Sequence, residues 1–140
     1  MKSEKPNVLL VEDNLADINL VEEALEEAQL DCRLTIMRDG VRAIEFLERI
    51  DSHLDHPSPD VVLLDLNLPM IGGEEVLKRV RMSPKCIGVK VLIISSSDIP
   101  ADRERVMQLG ASGYFRKPSS LAQFMLLGIE VRAMIEDASR

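Results

Sequence analysis

VVLLDLNLP, residues 61–69, decides the fold. Its first four residues form an unbroken apolar run rich in β-branched side chains, as a parallel strand buried on both faces requires. The run stops at an acid, Asp65. VLLVEDN, residues 8–14, repeats the arrangement: an apolar run to Val11, then Glu12 and Asp13. In an open parallel α/β sheet, ligands bind outside the carboxyl ends of the strands, so these three acids fall where chemistry would sit.

Working outward, short apolar runs alternate with amphipathic segments to give five β/α pairs, the pattern of a doubly wound α/β sheet. Strands are expected at 8–11, 34–37, 61–64, 89–94 and 113–115, and helices at about 15–29, 41–49, 73–81, 101–109 and 121–136. In the first helix Ile18, Val21, Leu25 and Ala28 recur at three- and four-residue steps with glutamates opposite, so one stripe lies on the sheet. Gly40, Gly72, Gly110 and Gly113 punctuate the connections. No repeat, low-complexity tract or linker interrupts the series.

At 140 residues the chain reads as one domain, able to bury roughly 68% of its unfolded surface in a single core. A formal charge of −7 with no basic patch argues against nucleic acid, whose binding draws on lysine and arginine. MKSEKPN leads directly into the first strand without an apolar signal, and no stretch approaches membrane-spanning length, so a cytoplasmic protein is expected. Cys32 and Cys86 lack metal-ligand spacing and read as buried or half-buried thiols. His53 and His56 lie in DSHLDHPSPD, residues 51–60, a polar connection that reads as a solvated loop and not a metal pair.

Acids crowded at neighbouring strand tips repel one another and raise the cost of ionisation. A hard dication relieves this, and carboxylates with a backbone carbonyl and waters suit octahedral Mg²⁺. Lys117, in GYFRKP at the fifth strand tip, supplies a point charge for phosphate. Without Asp65 and Lys117, Glu12 and Asp13 would read equally well as acids favoured by a helix N-terminus. Serines 95–97 leave the register of any strand-end hydroxyl open.

These segments together resemble the receiver domains of two-component response regulators, from Asn7 to about Ile135. The resemblance implies a flavodoxin-like (βα)5 fold with strand order 2-1-3-4-5, residues 1–140 forming a single receiver domain with no output domain. VEDN matches the acidic pair, so Asp13 is implied as the principal Mg²⁺ ligand and Glu12 as its helper. VLLDLNLP implies Asp65 as phosphoacceptor and metal ligand, with the Asn67 backbone carbonyl completing the protein ligands. LIISSSD implies a switch hydroxyl, which the family's spacing to Asp65 and Lys117 assigns to Ser95. GASGYFRKP implies Lys117 as the phosphate-binding lysine, Tyr114 as the aromatic switch, and a cis bond before Pro118.

A finer resemblance, carried by VLLVEDNLADINLVEEAL, RDGVRAIEFLE, the long loop before Asp65, LNLP and KPSSLAQF, is to the output-free receivers associated with bacterial phytochrome histidine kinases. It implies a histidine kinase of that type as partner, and a non-enzymatic protein that takes part in phosphoryl transfer onto itself. Ser119 replaces the phenylalanine that often follows Lys-Pro in other receivers. A dehalogenase-type phosphatase would need a general acid where Asn67 stands. A pseudo-receiver would have lost an acid or the lysine.

In the fifth helix Phe124, Gly128, Val131 and Ile135 form a stripe for the sheet, leaving Leu126, Leu127, Ile129 and Met134 on other faces. That surplus predicts a homodimer through this helix, and the resemblance implies a pairing face made of the fourth helix, fifth strand and fifth helix.

Overall fold

The computed structural model describes residues 5–53 and 56–138. Residues 1–4, and Leu54 and Asp55 in the expected loop at 51–60, lie outside the described residues. The elements follow in the order β1 (Asn7–Val11), α1 (Leu15–Glu27), β2 (Arg33–Met37), α2 (Gly40–Ser52), β3 (Val61–Asp65), α3 (Gly73–Met82), β4 (Lys90–Ser95), α4 (Pro100–Gln108), β5 (Gly113–Arg116), α5 (Leu121–Phe124) and α6 (Leu126–Ala138). All strand pairs are parallel, in the order β2-β1-β3-β4-β5.

The unbroken apolar runs have a direct cause in this layering. Alternate strand residues feed two cores. Val8, Leu10, Val61, Leu63, Leu92 and Ile94 pack with Ile18, Val21 and Leu25 of α1 and with Phe124, Leu127 and Val131. Leu9, Val11, Val62, Leu64, Val91 and Ile93 pack on the other face with Leu47 of α2 and Val76, Leu77 and Val80 of α3. Each large aliphatic side chain so buried contributes about 1.5–3 kcal/mol relative to exposure, which is what holds the central strands rigid beneath the acids at their tips.

Two details of the expected helices change. The buried stripe of α1 is Ile18, Val21, Ala24 and Leu25, while Ala28, just past the helix end at Glu27, is half-buried. The last expected helix is broken at Met125 into α5 and α6, and the Gly128 amide bonds three residues back to the Met125 carbonyl at 3.2 Å. This tighter turn accompanies a close approach: a Cβ on Gly128 would collide with the Ala24 carbonyl of α1. Leu127, expected on an outer face, is fully buried in the core, because it stands three residues after Phe124 and four before Val131 on the same helical stripe, whereas Leu126 (53% exposed) and Ile129 (59% exposed) remain outside.

The His53 Nδ1 lies 2.9 Å from the Arg49 carbonyl, and the His56 ring packs edge-on against Phe46, so His56 is half-buried and not merely solvated. Cys86 is buried and Cys32 half-buried, both as free thiols.

Candidate functional site

The strand register staggers the tips. Asp65 pairs with Ile94, so Ser95 lies one residue beyond it on β4; Ser95 in turn pairs with Arg116, so Lys117 lies one residue beyond on β5. On the other side Val11 pairs with Leu64, placing Glu12 beside Asp65. The Glu12 amide still bonds to the Met37 carbonyl at 3.1 Å, continuing the β1–β2 ladder and fixing its side chain inside the molecule.

Glu12, Asp13 and Asp65 each offer a carboxylate oxygen, and these lie within 4.8 Å of one another. Asp65 is buried, with Oδ1 accepting from the Asn67 amide at 3.1 Å. The start of α3 closes over this strand end, because Gly73 has no Cβ: one added there would collide with the Asp65 carbonyl and the Leu66 Cα. Burial first, and then the neighbouring Asp65, push the Glu12 carboxyl up to about 7 from 4.5, against the opposing pull of Lys117. An all-oxygen cluster at this separation, with one member held reluctant to ionise, is a donor set that fits a hard dication.

Lys117 reaches into the cluster from β5. Its ammonium lies 3.1 Å from Glu12 Oε1, 3.6 Å from Asp65 Oδ2 and 2.7 Å from Asp17 Oδ2. Burial would depress the lysine, but its hydrogen bond to Asp17 and the charges of Asp65 and Glu12 outweigh it and raise its pKa. Among the described residues no peptide bond is cis. The Lys117–Pro118 bond, implied to be cis, is therefore trans. The trans isomer of an X–Pro bond is favoured by about 0.5–1 kcal/mol, and with it β5 already delivers the Lys117 amide to the Ser95 carbonyl at 2.7 Å.

Ser95 is fully buried, and its Oγ accepts from the Ser97 amide at 3.1 Å. The Tyr114 hydroxyl donates to the Ser97 carbonyl at 3.0 Å, and the Arg103 guanidinium stands 5.7 Å from the Tyr114 ring centroid. A cleft of about 350 Å³ opens there, lined also by Ile99 and Arg116.

Asp17 and Arg38 went unread in the sequence, and Ser97 was read only as a rival for the strand-end hydroxyl. Arg38 Nη2 donates to the Asp13 carbonyl at 2.9 Å and so steadies the acidic turn. Asp17 carried a signal of another kind: Asn14-x-x-Asp17 looks like a capping box, whose acid would reach back to the cap amide. Half of that box forms, with Asn14 Oδ1 accepting from the Asp17 amide at 3.0 Å. The return bond is made by Glu12 Oε2 instead, at 3.2 Å from the Asn14 amide, and this leaves the Asp17 carboxylate free to hold Lys117.

Residues 8–127 match the family model of the response regulator receiver domain. The chain belongs to that family. This receiver domain is 36% identical over 125 residues to the response regulator Rcp1 of Synechocystis sp., covering 88% of the present chain and 85% of that protein. Among solved structures it is similar to the phosphorylated cyanobacterial phytochrome response regulator RcpA, with a TM-score of 0.84, 30% identity and 95% of each chain covered. It is likewise similar to the Mn²⁺-bound form of Rcp1, with a TM-score of 0.79, 32% identity, and 91% of this chain and 92% of that one covered. The flavodoxin-like receiver fold and strand order are those of its neighbours, and its similarity extends to phytochrome response regulators. Among the described residues of this receiver domain, no helix is long and apolar enough to cross a membrane.

Proposed function

We propose that Asp65 is the phosphoacceptor of a histidine kinase, and that the carrying observation is its position: a buried carboxylate 3.6 Å from the Lys117 ammonium and clustered with Glu12 and Asp13. An Asp65 oxygen attacks phosphorus; the O–P bond forms as the P–N bond to the kinase imidazole breaks, and the imidazole departs with its electron pair. The protein supplies position and charge and little else, as phosphoryl transfer demands. Glu12, Asp13, Asp65 and the Asn67 carbonyl would hold Mg²⁺, which supplies offset of the phosphoryl charge when bound. Lys117 adds a second positive charge, and the Ser95 hydroxyl turns to donate to a phosphoryl oxygen after transfer.

That turn costs Ser95 its bond from the Ser97 amide, and Ser97 also holds Tyr114. Rearranging this one residue couples the phosphoryl group to the surface made by α4, β5 and α6. The similarity to Rcp1 and RcpA supports a phytochrome-type kinase as the donor. A second copy of the chain is the proposed occupant of that surface, through Leu126 and Ile129, one turn apart on α6 and both exposed. Residues 1–140 then act as one receiver, its only reaction being phosphoryl transfer onto, and hydrolysis from, its own Asp65.

Incubation with acetyl phosphate and Mg²⁺, read by intact mass, should add one phosphoryl group to the wild type and none to Asp65→Asn. Equal labelling of the two proteins would remove the assignment.

A further inference from the structure

Lys117 faces three carboxylates with one positive charge, and its shortest contact is the one not drawn from the acidic strand tips, Asp17 at 2.7 Å. The three partners differ in what they can fall back on. The Glu12 and Asp65 side chains are 1% and 5% exposed, so if the lysine moved away both would be buried carboxyl groups without their cation, with no water to take its place. Asp17 is 24% exposed and sits in the first turn of α1, where water and the helix N-terminus both stabilise a lone carboxylate. The contact that can open at least cost is therefore the shortest one.

We propose that Asp17 is a positioning residue that competes with the phosphoryl group for Lys117. In the unmodified protein it holds the ammonium toward α1. When a phosphoryl group arrives on Asp65, Lys117 gives up Asp17 to pair with the phosphoryl oxygens, and Asp17 is rehydrated. The strength of this competing pair then sets how tightly the site holds a phosphoryl group and how long it keeps it. The proposal rests on Asp65 being the phosphoacceptor.

Its test is the binding of beryllium fluoride, a phosphoryl mimic, in saturating Mg²⁺, followed by calorimetry. Asp17→Asn keeps the side chain's shape and should bind about three- to tenfold more tightly than wild type, the range expected for release of one partly buried ion pair. Asp17→Ala should do the same, and Asp17→Glu should return toward wild type. A purely through-space effect of removing a negative charge would also tighten binding, but it would persist without the lysine. In a Lys117→Met background, Asp17→Asn should therefore change affinity by less than about twofold. Unchanged or weaker binding by both Asn and Ala variants, or a gain that survives in the Lys117→Met background, would overturn the competition. Absence of binding to wild type itself would overturn the phosphoacceptor assignment, and the competition with it.

Discussion

The Tyr114 hydroxyl donates to the carbonyl of Ser97 at 3.0 Å, and the amide of that same serine donates to Ser95 Oγ at 3.1 Å. The strand-tip hydroxyl and the aromatic ring near the surface are thus held by the two backbone polar groups of one residue. Neither can rearrange without disturbing the other's partner.

Tyrosine fluorescence reads this link directly, because the chain has one Tyr and no Trp. Acetyl phosphate with Mg²⁺ should change the emission of the wild type. It should leave Asp65→Asn unchanged and change Ser95→Ala less than half as much. A full response in Ser95→Ala would show that Tyr114 is not coupled through the Ser95 hydroxyl.

Glu12 gives the metal-free protein a pH dependence of definite sign. Its pKa rises from 4.5 to about 7 on folding, through burial first and Asp65 second. A raised folded pKa means stability fully present below the unfolded value and lost as pH rises through the folded one. Urea melts in EDTA should therefore show the wild type losing on the order of 1–3 kcal/mol between pH 5 and pH 8 relative to Glu12→Gln. Lys117, also raised, titrates above this window and adds no slope within it. Parallel curves for the two proteins would show that Glu12 is ionised throughout.

Bound Mg²⁺ should reverse the balance among the acids. At a hundred times its dissociation constant it should stabilise the wild type by about 2.7 kcal/mol, and Asp13→Asn by much less. The same urea melts with and without Mg²⁺ measure both. An equal gain in the two proteins would exclude Asp13 as a ligand.

Leu127 and Ile129 separate core from surface on α6. Leu127→Ala should cost about 2–5 kcal/mol, since Leu127 is fully buried with Phe124 and Val131. Ile129→Glu should leave urea stability within about 0.5 kcal/mol of wild type while shifting sedimentation toward monomer. A monomeric wild type at high micromolar concentration, phosphorylated or not, would end the homodimer proposal.

The strands and the acids were legible because both are one-dimensional signals. A parallel strand covered on both faces must be apolar at every position, so Val8 to Val11 and Val61 to Leu64 announce themselves, and the acids that end them stand out. Leu127 was misplaced although its spacing was legible. It stands three residues after Phe124 and four before Val131, so helical spacing already puts it on the buried stripe; what the spacing does not show is that Gly128 touches the backbone of α1, a contact between helices far apart in sequence. Asp17 has the local spacing of a capping residue, Asn14-x-x-Asp17, which says nothing of a site, while its partner stands a hundred residues away just past the end of β5. Arg38 donates its guanidinium to a backbone carbonyl and Ser97 acts through its own amide and carbonyl, and the identity of neither residue advertises such a contact.

The central claim is that Asp65 itself becomes an acyl phosphate. Borohydride reduction of protein treated with acetyl phosphate and Mg²⁺ converts an aspartyl phosphate to homoserine, and peptide mass spectrometry then locates the residue. The account predicts homoserine at position 65 and at no other acid of the cluster. Homoserine at position 13, or an unmodified Asp65 in protein that carries phosphate, would contradict it.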